Sequence, residues 1–408
     1  MTGRIAVVPP RFGPQVVGGS EALSREIALG LAARGWDVEV LTTCALDHYT
    51  WANALPEGAT FEDGMVVRRF ATVAQHAPAG LSAQQKIQAG ILPSLDEQLT
   101  WLGWRFTVPG LFEHLIERGD DYDAFLFSPY LFWTTTVCLP LVADRAISMP
   151  CLHDELYARL DVVRPALASP ARVWFLSEPE HDLAHRLAPL PGAHSVTGAG
   201  LEIPSGYDPD GFRARFGLER PFLLFAGRRE REKGWDLLVE AYGETLRLDD
   251  AGVDLVSIGV GDASIPAELA GRVIDLGFVD GASRNDAAAA ALAVVQPSRM
   301  ESFSRLVMEA WLAATPVVAL ATSEVVAWHC RRSGGGLLFE DGEGLARAVR
   351  RLVDDPDDAA ALAARGRDYV LEHYAWPVVL DRMEADLSAM GLDPPGTPPA
   401  PASRASAA

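Results

Sequence analysis

A chain of 408 residues, 49% hydrophobic and 22% charged, has globular composition and room for two domains, which excludes a disordered or fibrous protein. Its net charge of -20 argues against nucleic acid, whose phosphates need a basic field, and leaves any peripheral membrane contact to a local basic patch. Four cysteines, Cys44, Cys138, Cys151 and Cys330, show no CxxC pairing and fit reduced thiols in a cytoplasmic protein.

The run after Arg4, "IAVVPP", is too short for the apolar segment of a secretory signal. It reads as a strand, followed by the loop "RFGPQVVGGSE", a helix in "ALSREIALGLAARG" and a second strand in "DVEVLTT". Strand, glycine loop, helix and strand make a βαβ unit and predict a parallel sheet. Residues 75–118, with Trp101 and Trp104, read as helical and as an insertion beside that sheet. Residues 124–143, "AFLFSPYLFWTTTVCLPLVA", carry no charge, but Pro129, Pro140 and three threonines favour a buried strand and helix over a membrane span. Further strands are expected in "ISMPCLH" and "RVWFLS".

The interval "TGAGLEIPSGYDPDGF" is rich in Gly, Pro and Asp and reads as a hinge. A second series begins near residue 221 with the strand "PFLLFAGR" and the helix "KGWDLLVEAYGETL". It continues through "DLVSIGVGD", "VIDLGFV", a helix in "GASRNDAAAAA", the strand "LAVVQPS", a helix after Ser302 and the strand "TPVVAL". Two such α/β domains leave a cleft between the carboxyl ends of two parallel sheets, where open α/β folds bind ligands. Residues 393–408, containing "PPGTPPAPASRASAA", read as a disordered tail.

Arg228 ends the first strand of the second series, and Lys233 follows where the next helix begins. Two cations at a strand end beside a helix N-terminus suit a diphosphate, although solvated surface charge is the ordinary role of either residue. The chain has 33 arginines and only two lysines, so a lysine here points to a compact point charge. In "PSRMESFSRLVMEAW" the serines are expected to cap a helix starting near Ser302 to Ser304. Glu301 then lies in the loop before it, and Glu309 about seven residues into it, roughly 10 Å along. Leu306, Val307 and Ala310 surround Glu309 with apolar neighbours, so its carboxylate needs a partner. In the first series, Gly18 and Gly19 let backbone amides approach a phosphate, and His153 should sit at a strand's carboxyl end in the cleft.

Together, "FAGRREREKGWDLLVEAY" and "QPSRMESFSRLVMEAWLAATPVVA" resemble the C-terminal domain of the retaining glycosyltransferases of the GT-B fold, glycosyltransferase family 4. The resemblance covers about residues 218–375 well, and residues 1–45 and 146–200 more loosely. It implies an α/β protein of two Rossmann-like domains with parallel sheets facing across a cleft. Residues 1–205 would form an acceptor domain and 206–375 a nucleotide-sugar donor domain, with a C-terminal helix at 376–392 crossing back to the first. By the same resemblance Arg228 and Lys233 would hold the diphosphate, Glu301 and His153 the transferred sugar, and Glu309 the ribose hydroxyls. Gly259, Gly261, Phe278 and Val279 would line the base pocket. Ser302, Phe303 and Ser304 would adjoin the donor, and Gly18 and Gly19 its phosphates. The family usually has glycines at the positions of Ser302 and Ser304, so here the space beside the donor sugar is narrower.

The expected reaction moves a sugar from a nucleoside diphosphate to a hydroxyl acceptor, with no cofactor and no metal. Retention, with the departing phosphate taking the acceptor proton, is implied by the resemblance alone. A sugar-nucleotide epimerase, a phosphorylase and a non-catalytic sugar-nucleotide-binding protein remain alternatives. An NAD dehydrogenase is disfavoured because "GVGDAS" lacks the third glycine of the dinucleotide fingerprint. "HDLAH" puts His181 and His185 on one helix face, but no third metal ligand is evident in the sequence. "DYD" at 121–123 reads as a polar turn.

Overall fold

The computed structural model describes residues 3–16, 18–74 and 78–393, so nearly all of the expected tail lies outside the described residues. The N-terminal half begins β1 (Arg4–Val8), α1 (Gly19–Ala33), β2 (Asp37–Thr43), β3 (Gly58–Glu62) and β4 (Met65–Phe70). It continues with α2 (Pro78–Gln88), α3 (Leu95–Trp104), α4 (Pro109–Arg118), β5 (Ala124–Phe127), α5 (Trp133–Thr136) and β6 (Ala146–Ser148). Then come α6 (Pro165–Ala168), β7 (Arg172–Phe175), α7 (Glu178–Leu187) and β8 (His194–Val196). These strands form one sheet in the order β3-β4-β2-β1-β5-β6-β7-β8. Every pairing is parallel except β3 with β4. That hairpin and β8 are absent from the sequence reading. β3 is a largely exposed edge strand, and β8 has only three half-buried residues, so neither carries a strong apolar pattern.

The second half begins α8 (Pro209–Phe216), β9 (Phe222–Ala226), α9 (Trp235–Leu248), β10 (Asp254–Ile258), β11 (Val273–Asp275) and α10 (Gly281–Ala290). After it come β12 (Ala293–Gln296), α11 (Arg305–Leu312), β13 (Val317–Leu320), α12 (Glu324–Ser333) and β14 (Gly336–Phe339). The last helices are α13 (Gly342–Asp354), α14 (Pro356–His373) and α15 (Trp376–Ala389). Its sheet, β11-β10-β9-β12-β13-β14, is parallel throughout. β10, β12 and β13 are buried along their whole length, as parallel strands covered on both faces must be.

In each sheet the order reverses once, between β1 and β5 and between β9 and β12. At such a switch point neighbouring loops leave the carboxyl edge in opposite directions and open a crevice. The residues after β9 and β12 therefore share one crevice, and Lys233 and Glu301 belong to those two loops.

α15 lies against the N-terminal half. Trp36 Nε1 donates to Glu384 at 2.9 Å, Trp174 Nε1 to Asp386 at 2.8 Å, and Arg34 reaches Asp381 at 2.6 Å. Leu380, Met383 and Leu387 join a core that runs continuously from Ile5 through Trp311 to Val379. No helix among the described residues is long and apolar enough to cross a membrane. The uncharged run 124–143 is a buried strand followed by short helical turns, because its prolines and threonines break a long helix.

Candidate functional site

β9 ends at Ala226, and the chain crosses Gly227, Arg228 and Arg229 before a 3₁₀ turn over Arg231–Lys233. Gly234 then starts α9 in the left-handed region, at φ 73°. A Cβ there would stand 2.1 Å from the Pro297 carbonyl oxygen at the end of β12. Glycine thus lets the β9 turn lie directly on the β12 loop. The result is a salt bridge: Lys233 Nζ donates to Glu301 Oε1 at 2.8 Å, with the two side chains 31% and 13% exposed.

The two consecutive arginines have different fates. Arg229 is buried and fully engaged: it donates to Ser257 Oγ, to the carbonyls of Gly259 and Gly261 at 3.0 Å each, and pairs with Asp275. It locks the ends of β10 and β11 together. Arg228 is half-exposed, and among the described residues it bonds Glu230, at 3.0 Å. Burial, and then the nearby cations Arg11 and Arg228, hold the His48 imidazole below its ordinary pKa. Arg11 from the first half and Arg228 from the second are therefore both near enough to His48, in the loop after β2, to disfavour its charged form.

Gly259 and Gly261 have positive φ, and a Cβ on Gly259 would meet the Gly227 carbonyl oxygen at 2.0 Å. The sequence reading gave these glycines to a base pocket; in the structure they first serve close backbone packing between strand ends. Phe278, expected in the same pocket, is 76% exposed, and Val279 packs partly against the core. A cavity of about 590 Å³ between α9 and the segment after β10, lined by Arg229, Trp235, Asp262 and Glu268, contains none of the sequence-derived site residues.

The loop before α11 departs from expectation in three respects. The helix starts at Arg305, so Glu309 is its fifth residue and not about its seventh. Ser304 stands at the N-cap position but makes no side-chain cap; its Oγ instead accepts from Gln296 Nε2 at 2.6 Å. Its φ of 69° is the left-handed conformation that glycine favours, so a serine here is held in a strained backbone by that buried bond. Phe303 is 3% exposed, its ring edge-on to His329 and Tyr374, so any donor contact it makes is through its backbone. The Ser302 carbonyl accepts from Ser177 Oγ at 2.9 Å, which ties this loop to the N-terminal half.

Glu309 has the partner its apolar surroundings demand: Arg284 of α10 donates to it at 3.0 Å, and Arg305 lies 3.9 Å away. Burial pushes its carboxyl pKa up, against the pull of those two cations. Arg305 also grips Glu26 of α1, at 2.5 and 3.1 Å, so this cluster bridges the halves. It is separate from the Lys233–Glu301 pair.

On the N-terminal side, a Cβ on Gly18 would overlap the Glu21 carboxylate at 2.2 Å and approach Arg11, two residues locked in a buried ion pair. Gly19 has open space around its Cβ position, so the same reasoning does not extend to it. His153 follows β6, with its Nδ1 3.9 Å from Glu155 Oε1. Leu152 just before it is held by Glu180, which accepts the N–H groups of Leu152 at 2.6 Å and Leu176 at 2.5 Å. Burial pushes the Glu180 carboxyl up to about 8, opposed by those backbone donors. Glu180→Gln places an amide NH2 against a backbone N–H; we expect about 2 kcal/mol lost in chemical denaturation, with weaker transfer as the His153 segment loosens. An unchanged unfolding midpoint would refute that anchoring role.

The sequence reading missed the Arg11–Glu21 pair beside Gly18, and His48 near Arg11 and Arg228; these show no spacing motif and come together only through folding. It also found no third ligand for His181 and His185; the structure brings His194 beside them. Asp121 pairs with Arg118 and Asp123 accepts the Arg4 N–H, so "DYD" is the polar turn expected.

A profile of the family described as Glycosyl transferases group 1 matches residues 220–355. The D-inositol 3-phosphate glycosyltransferase 1 of Catenulispora acidiphila is 34% identical over 90% of each chain. Among solved structures, sucrose-phosphate synthase from Thermosynechococcus elongatus superimposes with a TM-score of 0.71 at 20% identity, over 95% of this chain and 99% of that one. Anabaena HepE in complex with UDP superimposes with a TM-score of 0.67 at 17% identity, over 95% and 100%.

Proposed function

The chain belongs to the group 1 glycosyltransferases, enzymes of GT-B fold that use nucleotide sugars, and from that premise we infer that it transfers a sugar from a nucleoside diphosphate to a hydroxyl acceptor with retention at the anomeric carbon. The observation that carries this reading is the Lys233–Glu301 pair at the β9/β12 switch point, with the half-exposed Arg228, bonded to Glu230, on the same β9 turn. The departing diphosphate gathers negative charge as the glycosidic bond breaks. Lys233 Nζ and the Arg228 guanidinium stabilise that charge. Lys233 exchanges part of its Glu301 contact for phosphate oxygen, and Glu301 turns toward the sugar. Glu309, with Arg284 beside it, receives the ribose hydroxyls.

Two cations at the diphosphate make a divalent ion unnecessary, so transfer proceeds without one. The acceptor hydroxyl approaches from the N-terminal half, near His153, and the departing phosphate oxygen takes its proton. UDP-sugars head the donor panel because UDP is the ligand named for HepE, and D-inositol 3-phosphate heads the acceptors after the relative in Catenulispora.

The test is a thermal-shift panel of UDP-, GDP- and ADP-sugars, followed by transfer assays in excess EDTA with the anomer of the product assigned by NMR. We expect one nucleotide series to raise the melting midpoint, and transfer to the same anomeric configuration at an undiminished rate in EDTA. Transfer that stops in EDTA and returns only with magnesium or manganese would defeat the metal-free account; an inverted product would defeat retention.

A further inference from the structure

His181 and His185 lie one turn apart on α7, and His194 is the first residue of β8. One ring nitrogen from each of the three lies within 4.8 Å of the others. The rings of His181 and His194 are stacked at 4.9 Å, and His185 meets both edge-on, at 4.6 and 5.6 Å. β8 is the last, parallel strand of its sheet, so its first residue lies at the end opposite the crevice. None of the three histidines is among the residues assigned to sugar transfer.

The hydrogen bonds already fix which nitrogens are available. His194 Nδ1 is 3.1 Å from the Pro191 carbonyl oxygen, and His181 Nδ1 is 3.2 Å from an Asp182 carboxylate oxygen. Both oxygens can only accept, so each Nδ1 carries the proton, and in the neutral imidazole, the form that binds a metal, each Nε2 presents a lone pair. That is the arrangement by which an outer carboxylate or carbonyl orients a metal-binding imidazole. His181 Nε2 is, moreover, buried with no hydrogen-bond partner among the described residues. A buried acceptor left unpaired needs an explanation, and an ion between the three rings supplies one.

We propose that His181, His185 and His194 form a binding site for a borderline transition-metal cation, zinc above all, which clasps α7 to the edge strand β8. Three neutral imidazoles suit zinc, nickel or copper and reject magnesium, which wants oxygen ligands. Tetrahedral coordination at about 2.1 Å puts ligand nitrogens about 3.4 Å apart, so the rings close by roughly an ångström through small side-chain rotations. Water completes the fourth position, on the side where His185 is exposed. Edge strand β8, only three residues long, gains a cross-link that its short ladder cannot provide.

The full-length protein, stripped with EDTA and dialysed, is titrated with zinc chloride by calorimetry and melted with and without the metal. Cobalt chloride serves as a spectroscopic probe. The expected result is one equivalent bound, a melting midpoint higher by roughly 3 °C at saturation, and a tetrahedral cobalt absorption band; magnesium gives none of these. His185→Ala, at an exposed position, abolishes all three signals and keeps the wild-type rate of sugar transfer; His194→Ala repeats the loss from the strand side. Zinc binding that fails to saturate at one equivalent, or that persists in His185→Ala, overturns the proposal. Because the readouts are binding and melting, they stand whether or not the donor and acceptor have been found.

Discussion

Lys233→Met is expected to lower the turnover of sugar transfer by roughly a hundredfold to a thousandfold, the loss seen when one preorganised charge is removed from a developing anion. The fold should hardly notice. Lys233 is a third exposed and, among the described residues, its partner is Glu301, so the cost in stability is about 1 kcal/mol or less. The isosteric loss of charge leaves the Gly234 turn and α9 in place, so the effect reports electrostatics and not unfolding. Lys233→Arg sharpens the test. A planar guanidinium cannot occupy the position of a compact ammonium beside Glu301, so restored charge should recover only part of the rate. A Lys233→Met enzyme with more than about a tenth of wild-type turnover would remove this lysine from the transition state and the account with it.

Gly234→Ala attacks the same pair without touching either charge. The new methyl would enter the left-handed region, costing about 1–2 kcal/mol, and would also stand 2.1 Å from the Pro297 carbonyl oxygen. Backbone cannot swing aside as a side chain does, so the β9 and β12 loops must separate. We expect about 3 kcal/mol of lost stability in urea denaturation. Transfer should fall by roughly a hundredfold, since displacements near an ångström carry effects of that size. A variant with wild-type stability would show that the two loops do not depend on this contact. One that is unstable but fully active would show that Lys233 and Glu301 need not be held together before donor binds.

The two engineered losses converge on one geometric fact, that a turn after β9 and a loop after β12 are pressed together at a switch point. How far that fact was legible in the sequence differs along the chain. The buried strands β1, β9, β12 and β13 announce themselves as unbroken apolar runs, because parallel strands covered on both faces have no polar side to show. The edge strands β3 and β8 were illegible for the converse reason: they are short and half-exposed, so nothing constrains their composition. Arg228 and Arg229 are chemically identical in the sequence. Only the positions of Ser257, Gly259, Gly261 and Asp275 decide that Arg229 is buried and structural while Arg228 stays half-exposed on Glu230.

By itself the sequence determined the α/β class, the two-sheet plan, the cations and carboxylates of the second half and the need of Glu309 for a partner. These follow from local chemistry: side-chain periodicity, glycine at turns and the cost of an isolated charge in apolar surroundings. Tertiary structure alone decided that Arg284 is that partner, that Phe303 faces the core, that Ser304 takes a glycine-like backbone, and that His194 joins His181 and His185. Each of these depends on residues distant in sequence meeting through sheet order and helix packing, and chain spacing carries no record of which distant groups will share a few ångströms.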